Sequence, residues 1–256
     1  MGKNNGHENE MQIISELNGK QITELPKHFS WISRIFSNLE GSLVVTKLNN
    51  EQKADISIRI GKETRYISIK SGDLNSFHSE DISLFIPFLR SIGVSESTLK
   101  TIVFFHYGDK TLDGSGFIRY TSEELRKTHR EYFKIASKEL GQEHIMRAVI
   151  ERCIIKGRFN DNYPVDGIYY GTISDGHFIN TVSVYKILLR KKYQKHNGTI
   201  NFGLLSYQPG SRNLWGDPGT EIKRSRCEIK WRSFKADIIN FLKFKSNSYT
   251  SNPKGK

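Results

Sequence analysis

The chain has 256 residues, of which 36% are hydrophobic and 11% aromatic. That length and composition suit one large domain or two small ones with a real core, and exclude a disordered chain. Lys and Arg outnumber Asp and Glu by 39 to 27, a formal net charge of +12, and this surplus favours a polyanionic partner. The first ten residues are polar and no run of about eighteen apolar residues occurs, so neither a secretory leader nor a membrane span is expected. The two cysteines, Cys153 and Cys227, make neither a disulfide framework nor a zinc site, and a reducing cytoplasmic setting fits them.

In chain order, apolar residues Met11, Ile14 and Leu17 predict a helix over 8–18, ending near Gly19, and a second helix is expected over 27–39. The period then changes to two, predicting strands at 42–48, 54–60 and 65–70, with Gly61-Lys62 as a tight turn. Ile82, Phe85, Ile86 and Leu89 form one face of a helix over 79–92, with Ser79 as its cap and Glu80 and Asp81 in its first turn. Pro87 conflicts with that helix and should kink it. Residues 101–105 are apolar and predict a strand buried on both faces. Glycine and polar residues concentrate in 107–120, which marks a soft boundary. Thr121 and Glu124 form a capping box that opens a helical region to about 156, broken at Gly141. Strands are expected at 167–172, 177–188, 199–207 and 221–231, with Asp175-Gly176 turning between the first two. A last helix covers 233–244, and 246–256 reads as a flexible tail.

The chemistry concentrates in residues 53–72. Ile56, Ile58 and Ile60 share one strand face, and Asp55, Ser57 and Arg59 the other. On the next strand Ile67 and Ile69 oppose Tyr66, Ser68 and Lys70. A two-residue turn pairs Ile60 with Glu63 and Asp55 with Ser68. A four-residue turn pairs Ile60 with Arg65 and Asp55 with Lys70. Either register puts Asp55 and Lys70 close together on the polar face. A carboxylate beside an ammonium at a strand end suits phosphodiester hydrolysis: the carboxylate takes a magnesium ion, and the lysine holds or deprotonates water and stabilises developing negative charge. An ordinary surface ion pair has the same two residues.

The stretch KADISIRIGKETRYISIKSG resembles the PD-(D/E)xK nuclease family, which includes many type II restriction endonucleases. That family carries Asp on one strand and acid-x-Lys on the next, followed by a helix and a further strand. Asp55 matches the first position and Lys70 the lysine, and the likeness spans residues 8–105. Ala54 replaces the nominal proline, and Ser68 stands where an acid is expected. The resemblance implies an α/β (α+β) nuclease core with a mixed central sheet flanked by helices, over 1–115. Residues 116–245 would form a helical, then largely β, basic recognition region. It implies Mg²⁺ as cofactor, with Mn²⁺ as substitute. Asp55 would be the metal ligand, Ser68 a supporting contact, and Glu10, Glu16 or Glu80 the source of the missing acid. His78 and Glu80, just past the motif, are candidate phosphate or metal contacts, with helix capping as the competing role.

The carboxy-terminal half is basic. RKKYQK spans 190–195, and 208–235 concentrates side chains that suit DNA. Arg212, Arg224, Arg226 and Arg232 can fork onto guanine or phosphate, Gln208 and Asn213 suit adenine, and Lys223, Lys230 and Lys235 suit backbone phosphates. A solvated basic face has the same composition. Trp215 and Trp231 either stack on bases or fill a core. The eight histidines show no zinc spacing, and no P-loop is present, so no nucleoside triphosphate is expected. The combined expectation is a sequence-specific endonuclease on double-stranded DNA, with a homodimer as the assembly that a symmetric site would use. An inactive nuclease-fold DNA-binding protein, an RNA nuclease and a basic structural protein are the alternatives.

Overall fold

In the computed structural model the described residues are 5–49, 52–72, 76–116, 119–158, 163–190, 199–210 and 222–250. The fold is mixed α+β, in two compact units: Met1–Leu74, Ile154–Ile187 and Ser233–Lys256 form the first, Asn75–Cys153 and Leu188–Arg232 the second. The single boundary expected in 107–120, separating 1–115 from 116–245, therefore falls inside the second unit. The cause is a strand at 167–171 that returns to pair with residues 67–70.

The first unit is built on a five-stranded sheet in the order β1-β2-β3-β5-β6. Its strands are β1 (Val44–Lys47), β2 (Ile56–Ile60), β3 (Glu63–Lys70), β5 (Gly167–Gly171) and β6 (Gly176–Asn180). β3 and β5 run parallel and the other neighbours antiparallel, so the central sheet is mixed as expected. The β2–β3 turn is the two-residue version, with Ile60 opposite Glu63. Gly61 supplies the positive φ of 56° that such a turn needs. Ile56, Ile58, Ile60, Ile67 and Ile69 bury one sheet face against Ile13 and Leu17 of α1 (Asn5–Leu17). The strand expected over 177–188 is corrected: β6 stops at Asn180, whose side chain accepts from Ser183 N at 2.9 Å and caps α7 (Thr181–Leu188). Val184, Ile187 and Leu188 are buried at helical, not alternating, spacing. The helix expected over 27–39 is also corrected, into short 3₁₀ turns at Ile22–Glu24, Lys27–Phe29 and Ile32–Arg34. Phe29 and Trp31 both contact the Tyr169 ring, at 5.2 and 5.9 Å, which residues two apart on an α-helix cannot do. The last helix, labelled α8 below, spans Phe234–Thr250 and so continues into the segment expected as a tail.

The second unit carries a four-stranded antiparallel sheet in the order β4-β9-β8-β7: β4 (Ser76–Asp81), β9 (Arg226–Lys230), β8 (Leu205–Pro209) and β7 (Asn201–Phe202). The expected helix start at Ser79 is corrected. Residues 76–81 pair with β9, and Asp81 caps α2 (Ile82–Ser91) by accepting from Ser83 N at 2.9 Å. Pro87 lies within α2 without ending it. The strand expected at 101–105 is part of α3 (Glu96–Tyr107). Five residues are too few to show a 3.6 period, but Leu99, Ile102, Phe105 and His106 form a buried helical face. Ser95 caps its start and Gly108 ends it at φ 63°. The capping box at Thr121 and Glu124 is present and opens α4 (Ser122–Thr128), followed by α5 (Arg130–Leu140) and α6 (Glu143–Ile150). A break falls at Gly141 as expected, and another at His129. The strand expected over 199–207 is instead the β7–β8 hairpin, turning at Gly203 with φ 56°. Trp231 is fully buried near Phe77, a core residue. No helix among the described residues is long and apolar enough to cross a membrane.

Candidate active site

The candidate centre lies in the first unit, where β2 and β3 part. The last β2–β3 pair is Ile56 with Ile67. Asp55 N still donates to Ile67 O at 2.9 Å. One step further, Ile69 N donates to the carboxylate Oδ2 of Asp55 at 2.5 Å. The side chain of Asp55 thus replaces the backbone acceptor that a longer β2 would supply. Ser68 Oγ donates to the same oxygen at 3.0 Å, and Lys70 Nζ stands 3.5 Å from it. No donor among the described residues reaches Oδ1. Asp55 and Lys70 are each about one-quarter exposed, whereas Ser68 is buried. One carboxylate oxygen accepts two hydrogen bonds and faces the ammonium, while its twin accepts none from the described residues.

The parallel pairing sets Lys70 next to Tyr170 of β5. Tyr170 is buried, its ring edge-on to Phe234 of α8 at 5.4 Å, and its hydroxyl donates to Gly72 O at 3.0 Å. Nothing in the residue pattern singled out Tyr170, because the parallel strand that carries it begins about a hundred residues after the motif.

The acids proposed to replace the one absent at Ser68 are engaged elsewhere. Glu10 of α1 pairs with Lys47 at 3.0 Å. Lys47 lies opposite Ile56, one position along from Asp55. Glu16 pairs with Lys20 at 2.5 Å on the helix surface. Glu80 belongs to the second unit, where it is 2% exposed. Its Oε1 receives Arg152 Nε at 2.9 Å and meets His78 Nε2 at 2.8 Å, and its Oε2 receives Arg152 Nη2 at 2.7 Å. Burial alone would raise the Glu80 carboxyl, but the hydrogen bonds from His78 and Arg152 outweigh it and hold the carboxyl at about 2. Arg152 also lies over the Phe88 ring at 4.6 Å. Among the described residues no group of three His, Cys, Asp or Glu gathers as a metal cluster.

No family model and no curated protein sequence matches the chain. Among solved structures, one that resembles it is the restriction endonuclease MspI in complex with its cognate DNA. The two share 13% identity at a TM-score of 0.48, with 88% of each chain covered.

The predicted DNA contacts divide into two sets. In β9, Cys227 and Ile229 turn inward, so Arg226, Glu228 and Lys230 share the opposite face. Just past the strand, Arg232 joins that face by donating to Ser206 Oγ at 3.1 Å and Gln208 Oε1 at 3.4 Å. Gln208 of β8 pairs with Glu228, and Ser206 with Lys230. Gln208, Arg226, Lys230 and Arg232 therefore occupy one sheet face of the second unit. Acids temper that face: Lys230 Nζ is 3.1 Å from Glu228, and Arg226 lies opposite Asp81.

Arg224 is not part of it. Its Nη2 donates to Asp109 at 2.6 Å, and its backbone oxygen meets His106 Nε2 at 2.8 Å. Asp109 is fully buried and also accepts from Thr111 N and Oγ1 and from Gly116 N. Burial opposes its ionisation, and these bonds with the Arg224 charge outweigh it, holding the carboxyl below its ordinary value. Arg224 thus ties down the loop after α3. Lys235 lies exposed at the start of α8 in the first unit. Arg212, Asn213, Trp215 and most of the basic run 190–195 lie outside the described residues.

Proposed function

We propose that the chain is a metal-dependent endonuclease that hydrolyses phosphodiester bonds of double-stranded DNA at a preferred sequence. The observation that carries this reading is the one-sided Asp55 carboxylate beside Lys70. Oδ2 accepts from Ser68 and Ile69 and lies 3.5 Å from Lys70, and Oδ1 accepts no hydrogen bond from the described residues. Magnesium keeps several waters and needs only one or two protein carboxylates alongside the substrate's phosphate oxygens, so a single oriented oxygen fits it even with serine at position 68. Mn²⁺ would take the same oxygen. When bound, the ion would polarise the scissile phosphate and lower the pKa of water.

The chain's own residues supply the rest. Ser68 and the Ile69 amide hold Asp55 in one rotamer, so no reorganisation is needed when substrate arrives. The Lys70 ammonium, anchored on the same carboxylate, donates to the attacking water or to the phosphate oxygens as negative charge grows on them. Gln208, Arg226, Lys230 and Arg232 offer the forks and charges that read base edges and phosphates. Glu228 and Asp81 on that face would disfavour placements that bring phosphate against them.

Supercoiled plasmid incubated with Mg²⁺, with Mn²⁺ and with EDTA tests the reading, with duplex RNA as competitor. Metal-dependent cutting that Lys70→Ala abolishes supports it. Tight DNA binding with no cutting in any metal would establish the second reading, a DNA-binding module on a nuclease fold, which the serine at position 68 favours. Preferential loss of DNA cutting to RNA competitor would move the substrate to RNA. Sedimentation with and without a cleavable duplex would decide whether two copies act on one site.

A further inference from the structure

We propose that Tyr170 is a positioning residue for Lys70. The inference rests on the proposed nuclease reading for its consequence, but not for its geometry. β3 is held on two sides only as far as Ile67, where β2 pairing ends. Beyond that point its β2 side is held by the Asp55 carboxylate, and its other side by β5, whose last pair with it is Lys70 with Tyr170. A strand end held in this way frays more readily than the strand's middle. The Tyr170 hydroxyl reaches past the final pair and donates to Gly72 O at 3.0 Å. It therefore fixes the chain two residues beyond the lysine. Gly72 has φ 66°, a left-handed turn just after the site. Tyr170 is itself immobilised, being buried with its ring against Phe234. The tether thus runs from the packed interior of α8, through one hydroxyl, to the turn that ends the lysine's strand.

The consequence is specific. Lys70 reaches Asp55 at 3.5 Å by way of a long flexible side chain, so a small movement of its backbone displaces the ammonium from both the carboxylate and the phosphate. A misplacement of about 1 Å in a reacting group can lower a rate by as much as about a hundredfold. Substrate affinity, which many phosphate contacts share, should barely change.

Tyr170→Phe keeps the ring and its contact with Phe234 and deletes only the hydroxyl. Two readouts are taken. One is the kcat and KM of metal-dependent plasmid cleavage. The other is lysine ε-methylene NMR, with the Lys70 signal assigned through Lys70→Arg; a held lysine shows two resolved ε protons and a mobile one shows them merged. The expected result is an unchanged KM, a kcat lower by about ten- to a hundredfold, and merged Lys70 ε protons. Wild-type splitting, or a wild-type kcat, overturns the proposal. If the unmutated protein cuts no DNA, the nuclease reading falls, while the splitting still decides the tether. Should Tyr170→Phe not fold, Gly72→Ala strains the same turn. A Cβ there meets no atom within 4 Å but must adopt the positive φ, and it must merge the same signal.

Discussion

Glu80 separates a structural acid from a catalytic one, and Glu80→Gln is the perturbation that decides. The carboxylate is almost fully buried and accepts both arms of Arg152 as well as meeting His78. Its carboxyl is held at about 2 against an ordinary value of 4.5. That difference is worth about 3 kcal/mol of stabilisation of the ionised form. The folded value is depressed, so this stability is fully present above about 4.5. It is lost as pH falls from there towards about 2, because the unfolded chain takes up the proton first.

The amide variant keeps the shape but leaves the Arg152 charge without its counter-ion in a site where the guanidinium is itself only 19% exposed. Removing one partner of a buried pair costs about 3–5 kcal/mol. Urea unfolding at pH 7 should therefore show a loss within that range. Repeated between pH 5 and 3, it should show wild type and variant converging, since acid removes from the wild type what the mutation has already removed. If Glu80→Gln changes stability by less than about 1 kcal/mol and the gap does not narrow in acid, the triad is not what holds this part of the second unit. If cutting is then lost with stability intact, Glu80 acts as a metal ligand after all.

Lys70→Ala should abolish cleavage while leaving duplex affinity within about twofold, because one ammonium near the scissile bond matters most in the transition state; filter binding beside the plasmid assay checks both. Asp55→Asn should abolish cutting and weaken Mg²⁺ and Mn²⁺ binding, and calorimetry with an unchanged metal affinity would remove Asp55 as a ligand. Arg226→Ala should cost about 1–3 kcal/mol on the preferred duplex and relax sequence choice, whereas Arg224→Ala should lower the melting temperature, since its partner is the buried Asp109. Binding titrations on preferred and scrambled duplexes, with thermal melts, separate the two arginines.

The β2–β3 hairpin was legible because its alternation was strict and both possible turns set Asp55 near Lys70 on one face. Asp55 and Lys70 meet in the two-residue register, and Ser68 Oγ donates to the same carboxylate. The failures share one cause, that local pattern is silent about distant partners. Residues 101–105 have the composition of a buried strand, yet capping by Ser95 and Gly108 and a face of Leu99, Ile102 and Phe105 make them a helix. Residues 76–81 follow β9 because it supplies a ladder from about 150 positions away. Arg224 and Arg226 are two residues apart in one basic run, and nothing in composition separates them. The start of β9 at Arg226 and the bond of Arg224, just before the strand, to the buried Asp109 do. Arg152 escaped notice for the same reason, since its partner lies 72 positions earlier.

The two residues of the candidate centre differ in how much the fold alone explains them. Asp55 accepts the Ile69 amide where β2 has ended, so an acceptor of its length at that position completes a sheet edge that would otherwise leave an amide without a partner. A protein with no enzymatic activity would have reason to keep it. Asparagine could serve the ladder nearly as well, which is why Asp55→Asn probes chemistry while leaving the sheet intact. Lys70 differs: it ends β3, where its backbone pairing with Tyr170 is open to any residue. A lysine there, aimed at the carboxylate oxygen that the sheet has already fixed, is a feature that sheet geometry does not require. The nuclease reading therefore leans more on the lysine than on the aspartate. Loss of cutting in Lys70→Ala, with the ladder untouched, weighs more than the same loss in any variant of Asp55.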